Sequence, residues 1–356
     1  MAEDEAAGDG AGAAPGGCPE RAGRLIGEFS AGRLRRIGRR GAPGQGVGGR
    51  SQWADVDGPV HYLDFGGPAR APVIVAVHGL GGSAVNWAAI APQLTTHYRL
   101  IAPDLGGFGL TRTGGRDVSV SGNRDLLHRF LETVPAVGRG PVILMGNSMG
   151  GMISLLEASA APSRVAALIL VDPALPFTFA VPDLLVATVF VLYGTPGLGA
   201  LMRGVRRRER PDAQVARVLS LCCADTSRVP AWIVAQHVEL ERCRAEFSDR
   251  EQAFNEAMRS LVDMLSRRRG QAYRAVIHSV GCPVLLLHGD QDRLVPVNVA
   301  RAAARTHPAW TYTELPGVGH VPQLEVPEET ARLILDWLAR VHAPVRRGPW
   351  SVRFRA

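Results

Sequence analysis

The strongest constraint on the fold lies in residues 142–156, where an apolar run leads into a glycine turn and a helix-compatible run leads out. The turn, residues 146–150, reads GNSMG. A strand that reverses sharply into a helix holds the central residue of such a turn in a strained backbone conformation. Ser148 is therefore a candidate nucleophile, and the amide of Met149 can point at a developing oxyanion. An isolated match to this pattern is more often an ordinary turn, so further motifs are needed.

A second glycine-rich loop, residues 78–82 (HGLGG), directly follows the apolar run 73–77. A glycine-rich loop after a buried strand can bring a backbone amide close to a substrate. Leu80 is the predicted second oxyanion donor. The alternative is a tight strand-to-helix turn.

Candidates for an acid and a base follow two later strands. The apolar run 285–287 leads into a loop that carries Asp290 and Asp292, and the strand-like run 310–314 precedes a glycine-rich loop that ends at His320. A lone histidine is usually structural or merely exposed. Here serine, acid and histidine follow predicted strands in the chain order that one hydrolase architecture uses.

In these motifs the chain resembles the α/β-hydrolase superfamily over roughly residues 58 to 342. The resemblance implies that Ser148 is the nucleophile, His320 the general base and then acid, and Asp292 the orienting carboxylate. It also implies an oxyanion hole formed by the backbone amides of Leu80 and Met149.

The resemblance favours Asp292 over Asp290 because the family places its acid three residues after the glycine that ends the strand. Asp172, which follows the apolar run 167–171, is the alternative acid, since some relatives use that strand end. The competing interpretation of Asp172 is a helix cap or a turn. By the same resemblance, Asp104 is a structural residue in the turn after the fourth strand.

Short apolar runs near residues 73, 100, 142, 167, 284 and 311 alternate with helical segments. This alternation predicts an α/β fold with a mostly parallel, doubly wound sheet of about eight strands covered by helices on both faces. Residues 61–65 are predicted to begin the sheet. Between residues 176 and 280 helical periodicity replaces the strand rhythm, which indicates a helical lid inserted after strand six.

The predicted organisation has four parts. Residues 1–50 form an Ala/Gly/Arg-rich tail expected to be disordered, and residues 343–356 form a basic C-terminal tail. Residues 51–175 and 281–342 form the α/β-hydrolase core, and residues 176–280 form the lid.

Two features of the lid bear on its role. Apolar residues spaced by three and four predict a helix over residues 254–265 that closes with three arginines, residues 267–269. Residues 184–202 carry no charge, but prolines, threonines and glycines interrupt them, which favours a lid helix that lines an apolar channel over a membrane span. Arginines within residues 203–210 follow, so peripheral contact with an anionic lipid surface is a secondary hypothesis beside a solvated charge run.

Other function classes find little support. The chain has no phosphate-binding loop, nucleotide fingerprint or metal-ligand cluster, so no cofactor and no metal are predicted, and His78 and His288 are predicted to be structural. The net charge is +7, but paired tail arginines without interleaved aromatic residues argue against nucleic-acid binding. Five cysteines without a paired framework, and no apolar secretory segment, predict a cytoplasmic protein that can associate with a membrane peripherally.

The predicted activity is an esterase or lipase-like hydrolysis of apolar acyl substrates through an acyl-enzyme. Residues 146–151 are also similar to the turn of carbon–carbon bond hydrolases that act on ring-cleavage products, although those relatives usually carry tryptophan after the histidine, where this chain has Val321. A receptor that keeps the hydrolase fold and turns over slowly is another possibility, as is cofactor-free perhydrolysis with the same triad. The sequence predicts no oligomeric state.

Overall fold

The computed structural model describes residues 48–177 and 209–341, which contain one eight-stranded sheet. The strands are β1 (Arg50–Asp55), β2 (Pro59–Gly66), β3 (Val73–Val77), β4 (Arg99–Pro103), β5 (Val142–Asn147), β6 (Val165–Val171), β7 (Val284–Gly289) and β8 (Thr311–Leu315). Their spatial order is β1-β2-β4-β3-β5-β6-β7-β8. β2 pairs antiparallel with β1 and β4, and all other neighbours pair parallel. The predicted α/β fold with a mostly parallel sheet is confirmed.

Helices connect most of the strands. They are α1 (Ala91–Leu94), α2 (Val120–Thr133), α3 (Met149–Ala160), α4 (Pro211–Cys222), α5 (Ala231–Arg244), α6 (Arg250–Leu265), α7 (Arg267–His278), α8 (Val297–Thr306), α9 (Pro322–Glu325) and α10 (Pro327–Val341). Short 3-10 helices cover Ala84–Trp87 and Thr226–Arg228.

The sheet is buried on both faces because alternate residues of its central strands enter two separate cores. Val75 and Leu144 face the core shared with α2, α3 and α8, whereas Ile74 and Ile143 face the core shared with α1 and α10. Central parallel strands buried on both faces are expected to be continuously apolar, as the sequence of β5 is up to Gly146.

The parallel pairing places the carboxyl ends of β3, β5, β6, β7 and β8 at one edge of the sheet. The loops that leave this edge carry His78, Ser148, Asp172, Asp292 and His320. Residues from five distant parts of the chain therefore meet there, which is the usual position of a site in an open α/β sheet.

The prediction that residues 61–65 begin the sheet is wrong, because β1 precedes them. β1 is a polar edge strand that pairs with β2 from Arg50 opposite Asp64 to Asp55 opposite Pro59. Its one large apolar side chain, Trp53, is 43% exposed. An exposed edge strand lacks the apolar alternation that reveals half-buried strands, which explains why the sequence analysis did not predict β1.

Four helices, α4 to α7, lie between β6 and β7 in the described part of the chain. They fall within residues 176–280, the segment that the sequence assigned to a lid. The uncharged residues 184–202 and most of the arginines after them lie outside the described residues. Among the residues that the structure describes, no helix combines the length and apolar character that crossing a membrane requires.

The predicted helix over residues 254–265 exists as α6, but its predicted end is wrong. Residues 267–269 do not close α6; they form the first turn of α7. The two helices meet at Ser266, whose hydroxyl accepts a hydrogen bond from the amide of Arg269 at 3.3 Å. Serine is a preferred N-cap, so it starts a new helix where the arginines alone indicated a C-terminus. Val262, expected in the buried stripe, is 54% exposed.

The cysteines also differ from the prediction. Cys222, Cys223 and Cys282 are free thiols, whereas Cys243 is disulfide-bonded. The sequence predicted no paired framework, so the disulfide of Cys243 departs from that prediction, and the odd cysteine count no longer argues for a reducing compartment.

Candidate active site

Ser148 stands between β5 and α3 with an unusual backbone, φ +55° and ψ −118°. L-residues rarely adopt a positive φ, and such strain persists only where the surroundings over-determine it. The Ser148 amide donates to the carbonyl of Val171 on β6 at 3.0 Å, and its carbonyl accepts from the amides of Gly151 and Met152 at 3.0 and 3.2 Å. These three hydrogen bonds fix the turn, and the serine side chain is buried with 8% of the residue exposed.

Glycine is required on both sides of the serine because other backbone segments pass very close. A methyl group on Gly146 would lie 2.4 Å from the carbonyl oxygen of Gly150, and one on Gly150 would lie 2.2 Å from the carbonyl oxygen of Val77. Close-packed backbone leaves no room for either group. The turn can therefore form only with these glycines in place.

The loop after β3 lies directly against the serine. A methyl group on Gly79 would come within 3.0 Å of the Ser148 Cβ atom. Leu80 follows Gly79 in this loop, and Met149 is the first residue of α3, so its amide has no acceptor within the helix. The two predicted oxyanion donors thus lie in the two segments that flank Ser148, and their role stays a prediction.

His320 and Asp292 form a buried pair, with His320 Nδ1 at 2.7 Å from Asp292 Oδ2. The other oxygen of Asp292 accepts hydrogen bonds from the amides of Leu294 and Val295 at 2.8 and 3.0 Å. Burial acts to raise the pKa of Asp292, but the interactions with His320 and His288 and the hydrogen bond from the Val295 amide together lower it. Asp292 is therefore ionised and bound to the imidazole, which suits an orienting carboxylate.

The backbone of His320 is held on both sides. Its amide donates to the carbonyl of Cys222 at the end of α4 at 2.6 Å, and its carbonyl accepts from the side chain of Asn147 at 3.0 Å. Asn147 precedes Ser148 and also donates to the carbonyl of Val171 at 3.0 Å. The Asn147 amide thus ties the histidine loop to the serine turn.

The two other candidate acids do not contact the imidazole through a hydrogen bond. Asp290 is half-buried, and its Oδ1 accepts from the amide of Gly317 at 2.7 Å. This hydrogen bond connects the loop after β7 to the loop after β8. Asp172 has φ +46° and is fully buried, and its Oδ1 accepts from the amide of Gly289 at 2.9 Å. It lies in a bend directly after β6, and its carboxyl group lies close to that of Asp292.

Three side chains meet here: a carboxylate oxygen of Asp172, a carboxylate oxygen of Asp292 and a ring nitrogen of His320 lie within 4.8 Å of one another. Burial first, and the charge of Asp292 second, raise the pKa of Asp172 well above its ordinary value. Two carboxyl oxygens and an imidazole nitrogen are also chemically suited to a metal. His320 Nδ1 is already bound to Asp292, however, and this pairing accounts for the cluster.

The sequence did not predict the roles of two polar residues in this region. They are Asn147, which connects the histidine loop to the serine turn, and Glu325. The buried Glu325 carboxylate on α9 accepts from the amides of Gly319, Ala224 and Asp225 at 2.9, 3.1 and 2.9 Å. It joins the histidine loop to the segment after α4. An acidic residue inside a mostly apolar stretch, residues 321–327, was the signal available in the sequence, because buried charges are rarely left without partners.

His78, His288 and Asp104 are each held by hydrogen bonds to the backbone, which agrees with the structural role expected for them. His78 Nε2 accepts from the amide of Leu105 at 3.0 Å, and burial lowers the pKa of this histidine. His288 Nε2 donates to the carbonyl of Val295 at 2.8 Å, and burial likewise lowers its pKa. The buried Asp104 carboxylate joins the turn after β4 to the segment after the Leu80 loop by accepting from the amides of Leu110 and Ala84.

Helix α6 covers the loops beside the serine. A methyl group on Gly81 would lie 3.2 Å from Cε2 of Phe254, and one on Gly107 would lie 2.4 Å from Cβ of Ala253. Asp249, just before α6, accepts from the hydroxyl and the amide of Thr113 at 2.7 and 3.0 Å. An aromatic side chain of the inserted helices thus lies over the loop that carries Leu80.

Comparison with known proteins agrees with this architecture. Residues 72–327 match the α/β hydrolase fold family. The chain is 25% identical over 291 residues to the human monoacylglycerol lipase ABHD6, covering 80% of this chain and 82% of that protein. It is 30% identical over 271 residues to the pimeloyl-[acyl-carrier protein] methyl ester esterase of Methylococcus capsulatus, covering 76% and 96% of the two chains.

A solved structure gives the same result. The crystal structure of a membrane phospholipase A superposes with a TM-score of 0.62 at 26% identity. The match covers 84% of this chain and 88% of that one.

Proposed function

The chain belongs to the α/β-hydrolase fold family and is an α/β-fold hydrolase, and from this premise we propose that it cleaves carboxylic esters of apolar acyl substrates through an acyl-enzyme on Ser148. The backbone of Ser148, φ +55° and ψ −118°, carries the proposal. Glycine adopts a positive φ without a steric cost, so a glycine would form this turn more cheaply. A serine retained in this strained conformation indicates that the function requires its hydroxyl group.

The proposed reaction begins with proton transfer from the Ser148 hydroxyl to His320. The serine oxygen attacks the ester carbonyl, and collapse of the tetrahedral intermediate breaks the bond to the alcohol, which takes the proton from His320. A water molecule then repeats the attack on the acyl-serine and releases the acid. Asp292 fixes the tautomer of His320 and stabilises its cation in both steps, since its 2.7 Å contact is to Nδ1 and leaves Nε2 for the serine.

We assign the oxyanion hole to the backbone amides of Leu80 and Met149. Both belong to segments in contact with the serine turn, and donors aimed at a developing oxyanion cost no reorganisation during the reaction. Loss of one such donor typically costs about a hundred- to a thousandfold in rate.

Two observations support an apolar acyl ester as the substrate. The relatives reported above are by name a lipase, a methyl ester esterase and a phospholipase, and all three names denote cleavage of a carboxylic ester. Phe254 lies over the loop of Leu80, where it offers apolar surface to a bound acyl chain. Burial of a methylene group typically contributes about 0.8 kcal/mol, so binding should strengthen with chain length.

The test is hydrolysis of p-nitrophenyl esters from acetate to palmitate, with a serine-reactive phosphonate probe beside it. The wild type should turn over many times with a chain-length optimum and should be labelled by the probe. Ser148→Ala should lose labelling and at least about 10⁴-fold of its turnover, because the nucleophile is gone. Asp292→Asn should lose about 10⁴-fold, because the imidazole loses its orienting anion.

Asp290→Asn is the matched control, since it removes a charge from the same loop without touching the imidazole. Ester turnover that persists in Ser148→Ala would contradict the proposal. Labelling without ester turnover would retain Ser148 as a nucleophile and direct the search to carbon–carbon bond substrates or to a receptor role.

A further inference from the structure

Two buried carboxyl groups share the compartment behind His320, although the proposed reaction uses only one of them. Asp172 ends β6 and Asp292 follows β7, and both are at most 6% exposed. His288 Nε2 lies 3.6 Å from Asp172 Oδ1 and 3.4 Å from Asp292 Oδ2, so a single imidazole touches both side chains. One polar atom of Asp172 also lies within 4.8 Å of one of Asp292, so the two buried acids interact directly.

The hydrogen bonds to the two acids are unequal. Asp292 accepts from His320 Nδ1 and from two backbone amides, which together satisfy an anion. Asp172 accepts from one backbone amide through Oδ1, and its Oδ2 has no hydrogen-bond partner among the described residues. A buried carboxylate oxygen without a donor is costly, whereas a carboxylic acid would use that oxygen as a donor itself.

The charges around Asp172 favour its neutral form. Asp292 and Glu325 both face it with negative charge, and burial and these charges raise its pKa. His288 is neutral because burial lowers its pKa, and it donates its proton to the carbonyl of Val295. His320, the remaining titratable neighbour, is bound to Asp292. Two carboxyl groups this close cannot both be ionised in a buried site, so the pair retains one proton.

We propose that Asp172 is a positioning residue that stays protonated and donates its O–H to the carboxylate of Asp292. The inference rests on the proposed function, because Asp292 matters only as the partner of His320. The hydrogen bond adds a donor to Asp292 and holds it in line with the imidazole. It also spreads the charge of Asp292, which keeps that carboxylate a weak base and leaves the Nδ1 proton on His320.

The consequence for catalysis has a definite sign. Without the donor, the charge of Asp292 is concentrated on the imidazole and stabilises its cation more strongly. The acidic limb of the kcat/KM profile, which reports deprotonation of the free enzyme's base, then moves to higher pH. An ionised Asp172 would do the opposite, because removing a second negative charge would move the limb to lower pH.

The experiment compares Asp172→Asn and Asp172→Ala with wild type, using p-nitrophenyl ester hydrolysis from pH 5 to pH 8.5. Asparagine keeps an oxygen for Gly289 and an N–H donor for Asp292, so kcat/KM should stay within about threefold and the limb should not move. Alanine removes the donor, so kcat/KM should fall about tenfold or more and the limb should move to higher pH. Asp290→Asn serves as the control for the loss of a nearby carboxyl group.

Three outcomes would overturn the inference. One is a loss in Asp172→Asn as large as that in Asp292→Asn, which would make Asp172 the ionised acid. Another is a limb that moves to lower pH in either variant. The third is a loss in Asp172→Ala without any movement of the limb, which would reduce Asp172 to a packing role. If Asp172→Ala does not fold, Asp172→Asn alone decides between the first two outcomes and the expected one.

Failure of the proposed function can be recognised separately. If the wild type cleaves no ester, the rate of labelling of Ser148 by the phosphonate probe supplies the same pH limb. If the probe does not label the wild type either, the proposed function fails. The protonation of Asp172 can then still be measured through stability, because Asp172→Asn should become more stable relative to wild type as the pH rises from about 4 to 8.

Discussion

At the residue scale, Asp172 links the chemistry of the site to the stability of the fold. Its pKa is raised in the folded state, mainly by burial and then by the charge of Asp292, from an unfolded value near 3.9. Above that pH the unfolded chain releases the proton that the folded chain keeps. The stabilisation from this group is therefore complete below pH ~4 and is lost as the pH rises towards the folded pKa.

We therefore expect Asp172→Asn to become more stable relative to wild type as the pH rises from about 4 to 8, because asparagine has no proton to lose. Urea unfolding across this range measures the difference. Asp292→Asn should show no trend between about pH 4 and 8 and should become more stable relative to wild type only below about pH 4, since the pKa of Asp292 is lowered and its stabilisation is present above the unfolded pKa and lost as the pH falls through the folded pKa. Parallel curves for wild type and Asp172→Asn would mean that this carboxyl group titrates alike in both states.

The sequence identified Ser148, Asp292 and His320 through motifs, because each lies in a recognisable loop after a strand. It also identified Asp172, but only as a competing acid. The contact between Asp172 and Asp292 joins residues 120 positions apart and depends on β6 pairing with β7. A sequence pattern gives the type of residue at a strand end, whereas the pairing of strands decides which ends meet.

At the element scale, the junction of β5 and α3 depends on two glycines. Gly150→Ala places a methyl group 2.2 Å from the carbonyl oxygen of Val77, and neither backbone can yield easily. We expect a loss of at least about 2 kcal/mol in the free energy of unfolding, together with loss of activity, because the helix must move away from β3. Chemical denaturation and probe labelling measure the two effects.

Gly281→Ala is the matched control for this substitution. Gly281 lies just before β7 and has nothing within 4 Å of the added methyl group. Its effect on stability should stay within about 0.5 kcal/mol, as for most open positions. An equally small effect of Gly150→Ala would show that β5 and α3 are not as tightly joined as the contact distances require.

The elements differed in how well the sequence predicted them, and burial explains the difference. The central strands are buried on both faces, so their apolar runs are unmistakable. The boundary between α6 and α7 was missed because Ser266 ends one helix and caps the next, and the arginines after it fit either position. Helix ends are set by single hydrogen bonds, which leave a weaker trace in a sequence than a buried face does.

At the scale of the whole molecule, the edge strand β1 is connected to the candidate active site through a series of polar contacts. The hydroxyl of Ser51 lies 2.9 Å from Nε2 of His61, whose Nδ1 lies 2.7 Å from Oδ2 of Asp104. Asp104 in turn accepts from the amides of Ala84 and Leu110 at 2.7 and 2.8 Å. Ala84 begins the 3-10 helix that follows the loop of Leu80.

This connection predicts that two deletions at the amino terminus will differ sharply. Removal of residues 1–47 leaves β1 intact and should change kcat/KM by less than about twofold, because β1 and its contact to His61 stay in place. Removal of residues 1–56 deletes β1, exposes the edge of β2 and takes Ser51 from His61. That deletion should lower the melting temperature, promote aggregation through the open edge and reduce kcat/KM.

The comparison needs thermal unfolding, light scattering and ester hydrolysis on both deletions, all in reducing buffer so that the disulfide of Cys243 is not a variable. Ser51→Ala in the full chain separates the two causes, since it breaks the contact to His61 while keeping the strand. If Ser51→Ala lowers kcat/KM but does not aggregate, the polar contacts carry the effect on catalysis and the open edge carries the effect on solubility. If the two deletions behave alike, β1 contributes neither, and the sheet functions from β2 onwards.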